Sequence, residues 1–150
     1  MVIVTNIRQA PPEGYTLIYV GRAMPGRPAS PLGNPLPVLG GRWTSEAERW
    51  TTFLLHHTDP AVRAQAEQAR RARGYVHGEA AALYREVLRE QCRSDTPQRR
   101  EVWRLADLVN EGQALALACW CAPKKPCHAD VVRAAVLGYA ARRARPPASA

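Results

Sequence analysis

Apolar residues fall in compact runs near the two ends of the chain and in helical spacing between them. Residues 2–7 (VIVTNI) and 15–20 (YTLIYV) concentrate β-branched and aromatic side chains on either side of APPEG, so both read as strands. Their connection is too short for a crossover helix, which predicts an antiparallel pair. Ser45 with Glu48 forms a capping box that opens a helix to about His57. Asp59 and Pro60 suit the cap and first turn of a second helix ending near Gly74. A third helix, over residues 78–92, carries Ala80, Leu83, Tyr84, Val87 and Leu88 on one side. Thr96 and Pro97 start a fourth, with Val102, Leu105 and Val109 facing the core and Gly112 ending it. The apolar run from Ala114 predicts a third strand over residues 114–120, and residues 129–143 read as a closing helix.

This order predicts an α/β fold: a small three-stranded mixed sheet flanked by about five helices, in a Rossmann-like layout. Residues 1–145 form the single domain and 146–150 a flexible tail. The helices between the second and third strands make those two strands parallel, because a parallel connection needs a long crossover. Their carboxyl ends then share one edge of the sheet, the edge where open α/β sheets bind ligands. Two segments meet there. One is residues 21–42, with five Pro and five Gly, too long and too regular in its turn residues to be a plain linker. The other is CWCAPKKPCH, residues 119–128, with three of the four cysteines and both lysines.

Charge sharpens the picture. The net charge of +8 divides into +3 over residues 1–42, zero over 43–113 and +5 over 114–150, so the excess falls in the two segments that hold the motifs. An anionic partner follows as an expectation: a nucleotide, a phosphorylated small molecule or a nucleic acid. The basic RRARPP near the C-terminus reads equally as a solvated tail. No apolar run reaches the roughly 18 residues of a membrane span, and the N-terminus lacks the basic start and small-residue cleavage site of a signal peptide. The expectation is therefore a cytoplasmic protein with no membrane partner, whose clustered cysteines are ligands or reactive thiols rather than a secreted disulfide framework.

Three readings of the cysteine turn stay open. Cys119 and Cys121 point to one side of a strand end, and with Cys127 and His128 they make a Cys3His donor set of the kind that holds zinc, although adjacent Cys127 and His128 reach one metal only through a distorted turn. Alternatively Cys127 and His128 begin a helix, where the positive end of the dipole, reinforced by Lys124 and Lys125, favours a bound anion or a thiolate. In the plainest reading at least one of the strand cysteines is a small buried hydrophobe. On the facing loop, Arg22 leaves a strand end and suits a phosphate or carboxylate. Ser30, Gly33 and Asn34 belong to SPLGNP, whose Gly and Asn tolerate positive φ and whose polar groups face either a sugar or base or only the turn itself.

The strings IYVGR, SPLGNP and CWCAP with a following CH, in this order, resemble an uncharacterised family of small domains found in bacteria and their phages. The resemblance implies that Arg22, Ser30, Gly33, Asn34, Cys119, Cys121, Cys127 and His128 are the family's motif positions, and it leaves residues 59–95 largely unmatched. The stretch before CH, with Lys124 and Lys125, is about one residue longer than the family's usual pattern. A more distant resemblance, through a strand ending in Cys and a CH turn, is to another uncharacterised α/β family with a Rossmann-like layout. Neither brings an established activity.

The expected function is binding, with processing left open, of a nucleotide or nucleic-acid-derived anionic ligand between the Arg22–Asn34 loop and the Cys119–His128 turn. Its alternatives are a zinc-stabilised interaction module and a basic DNA- or RNA-binding protein, and whether the chain is an enzyme stays open.

Overall fold

A computed structural model describes residues 1–120 and 127–144. Three strands, β1 (Val2–Asn6), β2 (Tyr15–Tyr19) and β3 (Ala114–Cys119), form one sheet in the order β1-β3-β2, flanked by helices. Both outer strands run parallel to β3, with Val2 opposite Leu115 on one side and Tyr15 opposite Ala114 on the other. The expected antiparallel β1–β2 pair is absent from the sheet, and the sheet is wholly parallel rather than mixed. Residues 7–14 instead carry the chain back past β3. Eight residues span up to roughly 26 Å when extended, enough to retrace a five-residue strand of about 17 Å. The last strand in sequence thus takes the centre. Its LALAC run is buried from Leu115 to Cys119, as a parallel strand covered on both faces requires.

The five helices are α1 (Ser45–Leu55), α2 (Pro60–Ala72), α3 (His77–Gln91), α4 (Pro97–Asn110) and α5 (His128–Arg143). Asp59 and Thr96 cap α2 and α4 through their side chains, as their positions predict. At α1 the cap is Thr44, whose hydroxyl accepts from the Ala47 N–H at 3.1 Å, so the Ser45–Glu48 capping box does not form. Glu48 is drawn away: it accepts from Trp43 Nε1 at 3.0 Å and from Arg70 at 2.6 Å. The apolar side of α3 is buried as expected, with Tyr84 and Val87 wholly enclosed, and α5 packs on α3, α4, β1 and β3.

Most mid-chain arginines are spent on neighbouring carboxylates, including Arg71 with Glu67, Arg100 with Asp95 and Arg104 with Glu101. Over residues 43–113 eleven arginines are matched by eleven acidic residues. Arg143, from the basic stretch near the C-terminus, belongs to α5 and pairs with Asp107 at 3.1 Å. The rest of the expected tail, 146–150, lies outside the described residues, and no described helix is long and apolar enough to cross a membrane.

Candidate functional site

All three strands end at one edge, and the chain builds a pocket there. The segment after β2 is held against the core by its own polar groups. Leu32 and Leu36 are fully buried, and Asn34 between them donates from Nδ2 to the Ala80 carbonyl at 2.9 Å while its Oδ1 accepts from the Leu36 N–H at 3.0 Å. The Tyr84 hydroxyl donates to the Leu32 carbonyl at 2.8 Å. Arg22 closes the loop on itself, donating from Nε to the Asn34 carbonyl at 2.8 Å and from a terminal nitrogen to the Leu36 carbonyl at 2.6 Å. Ser30 Oγ accepts from the Leu32 N–H at 3.0 Å. Gly33 is needed for closeness, not for positive φ: a Cβ there would stand 3.0 Å from the Gly21 carbonyl oxygen, and neither Gly33 nor Asn34 takes positive φ.

Opposite this loop lie the end of β3 and the start of α5. Cys127, in extended conformation at φ −131° and ψ 143°, is the N-cap of α5, and its Sγ accepts from the Ala129 N–H at 3.4 Å. His128 follows, 9% exposed. Its Nε2 is 2.6 Å from the Val20 carbonyl, which can only accept, so the proton sits on Nε2 and the lone pair on Nδ1. Nδ1 lies 3.7 Å from Cys127 Sγ. The two neighbouring side chains come together because Cys127 is the extended cap and only His128 is helical. Burial lowers the His128 pKa from the usual imidazole value, against the raising effect of the Val20 hydrogen bond, and keeps the ring neutral.

Cys119 and Cys127 bring their sulfurs into contact. Their Cα atoms are 7.7 Å apart, beyond the roughly 4.4–6.8 Å usual for a disulfide. Among the described residues no group of three or more His, Cys, Asp or Glu side chains is placed to hold a metal ion. Cys121, the further donor of the zinc expectation, and Lys124 and Lys125 lie outside the described residues.

Between loop and turn lies a pocket of about 240 Å³ with mainly apolar walls, lined by Leu36, Val38, Ala80 and Ala81. Cys119, Cys127, His128, Arg22, Tyr19 and Trp120 also line it. Among the contacts that hold Trp120, Asn6 Nδ2 donates to its carbonyl at 3.0 Å, its Nε1 meets the Met24 sulfur at 2.8 Å, and the Arg8 guanidinium stacks 4.5 Å over its ring. Arg27 lies 5.3 Å over the Tyr19 ring. A larger groove of about 860 Å³ runs between α3 and α5, but it lies away from the strand ends and from the motif residues.

Of the expected ligand residues, Arg22, Asn34, Cys127 and His128 line the pocket, while Ser30 and Gly33 shape the loop behind it. His77, Ala81 and Arg8 carried no motif that marked them in sequence, and Tyr19, although it lies within IYVGR at a strand end, was not singled out. A protein-family model described as Domain of unknown function (DUF4326) matches residues 6–138. No curated protein and no solved structure matches the chain.

Proposed function

The chain belongs to the DUF4326 family, whose function is unknown, and from the chain's own geometry we propose that the pocket binds a nucleotide or nucleic-acid-derived anionic small molecule. One observation carries this reading: an apolar pocket at the carboxyl ends of three parallel strands, with Arg8, Arg22 and Arg27 at or beside it and the first residues of α5 among its lining. The apolar walls suit a flat base, and about 240 Å³ takes a base more readily than a whole nucleotide. The phosphate then reaches the arginine rim. Arg8 and Arg27 rest on aromatic faces, where their charges stay available to an anion. The position of this pocket favours a small ligand over a long nucleic acid.

Titration calorimetry of the full chain with nucleoside 5′-monophosphates and the matching nucleosides tests the assignment. The phosphate is expected to tighten binding at least tenfold, and an Arg8→Ala, Arg27→Ala variant to lose most of that gain without a change in melting temperature. Equal affinity for nucleoside and nucleotide would remove the anionic part of the reading.

A second reading, zinc held through the cysteine turn, draws on the two touching sulfurs and the lone pair of His128 Nδ1 beside them. The bond from Nε2 to the Val20 carbonyl is also how metal-bound histidines are oriented. Elemental analysis of purified, untagged protein decides it: one zinc per chain supports it, and less than a tenth of an equivalent excludes it.

A further inference from the structure

We propose that the groove between α3 and α5 docks an acidic, amphipathic α-helical segment of a partner protein. This surface is separate from the strand-end pocket and does not depend on what binds there. Its direction, its floor and its rim each bear on the occupant.

The two helices run side by side in the same direction. Tyr84 on α3 meets His128 on α5 with ring centroids 5.4 Å apart, and two turns further along α3 Cys92 hydrogen-bonds Tyr139 of α5. The groove residues follow helical spacing on both walls. On α3 they are Arg85, Leu88, Arg89 and Cys92, at i, i+3, i+4 and i+7, and on α5 they lie on one side of the helix between Asp130 and Arg142. At 1.5 Å per residue that stretch of α5 is about 18 Å long, a little over three turns. A third helix laid along it therefore finds neighbours on two walls.

The floor is apolar. Leu88 is buried, Val131 and Ala135 are partly buried, and Ala134 is exposed. The two small alanine side chains let another backbone approach α5 closely, and about 860 Å³ leaves room for several large apolar side chains. The rim is basic: Arg85, Arg89 and Arg142 stand against one acid, Asp130. Arg142 lies 4.4 Å over the Tyr139 ring, and Arg89 shares Glu86 with His57. Among the described residues neither Arg85 nor Arg142 has a carboxylate partner, unlike Arg71, Arg100 and Arg104 on the other helices.

Charge and shape together select the occupant. A helix with apolar side chains at i, i+3, i+4 and i+7 fills the floor, and carboxylates flanking that stripe meet the arginines. A second copy docked through the same face would set these arginines against one another. Residues 145–150, RPPASA, bring an arginine and no acid. A nucleic-acid backbone leaves the apolar floor uncovered, and a flat bilayer does not enter a concave groove.

The test selects binders to the full chain from a phage-displayed library of random peptides of about 16 residues, long enough for four turns. Selected peptides, resynthesised with a fluorophore, are then measured by anisotropy. They are expected to carry acidic residues beside an apolar stripe of helical period, and to bind more weakly as salt rises. Affinity should fall at least tenfold in an Arg85→Gln, Arg142→Gln variant. An Arg71→Gln, Arg104→Gln variant, which removes the same charge from α2 and α4, should change it by less than twofold. Ala134→Trp, which places an indole at an exposed position on the floor, should also cost at least tenfold at an unchanged melting temperature.

Should a variant fail to fold, amide chemical shifts of the wild-type chain decide. Changes confined to residues 85–92 and 130–142 on adding peptide support the proposal, and changes centred elsewhere overturn it. Selection of no peptide, selection of peptides without acidic residues, or an equal loss in the two arginine pairs also overturns it. Duplex DNA that displaces the peptide at equal concentration would assign the rim to nucleic acid and overturn the helical partner.

Discussion

His128 does two jobs with one ring. Nε2 holds the end of β2 through the Val20 carbonyl, while Nδ1 faces Cys127 Sγ. Its folded pKa is lowered, so the ring stays neutral in the native state at pH values where an unfolded histidine has begun to take up a proton. The unfolded chain then binds more protons, and stability rises with pH in that window. The contribution is complete above the unfolded value of about 6.5 and is lost as pH falls below it toward the folded pKa. Urea unfolding between pH 7.5 and 5.5 should show a falling midpoint, and His128→Gln should flatten that slope. A slope that the substitution leaves unchanged would remove His128 as its source. CH was visible in sequence as two reactive residues, but the direction of each side chain was not. That depends on Cys127 being an extended cap rather than a helical residue, a one-residue difference that sequence spacing does not resolve.

The element that sequence described least well is the loop from Gly21 to Arg42. Its Pro and Gly content marked it as shaped, and its motif residues were legible, yet what they do is mostly structural. Asn34 spends its amide on Ala80 and Leu36, and Arg22 donates to two loop carbonyls. Polar residues in a turn string look the same whether they face a ligand or their own backbone, and only the fold distinguishes the two. Asn34→Ala leaves the buried Leu36 N–H without its acceptor and removes the second hydrogen bond to the Ala80 carbonyl, which should cost about 1–3 kcal/mol. Denaturant titration reads this as a lower midpoint with an unchanged slope; an unchanged midpoint would mean the loop is held by Leu32 and Leu36 alone. The helices were read nearly to the residue where caps are local, as at Asp59 and Thr96. Strand order was not, because β3 reaches the centre of the sheet only through pairing with residues 113 and 99 positions earlier, on β1 and β2.

At the scale of the whole molecule, charge and topology point to the same edge. The acid-balanced middle of the chain makes α1–α4 and neutralises its arginines locally. The N-terminal segment, with its uncompensated charge, brings Arg8, Arg22 and Arg27 to the carboxyl ends of the strands. The α/β class and the meeting of loop and cysteine turn were both legible, since a long helical crossover before the last strand forces a parallel relation with β2. The pocket between them is the central claim, and its most direct test is equilibrium binding of nucleoside 5′-monophosphates to the full chain beside an Ala23→Trp variant. Ala23 lines the pocket from an exposed position, so the indole should fill it without disturbing the core. Saturable one-to-one binding that falls at least tenfold in the variant, at equal melting temperature, is the predicted result. Binding unaffected by the indole would place the ligand elsewhere and contradict the assignment, and so would no binding to the wild type at millimolar nucleotide.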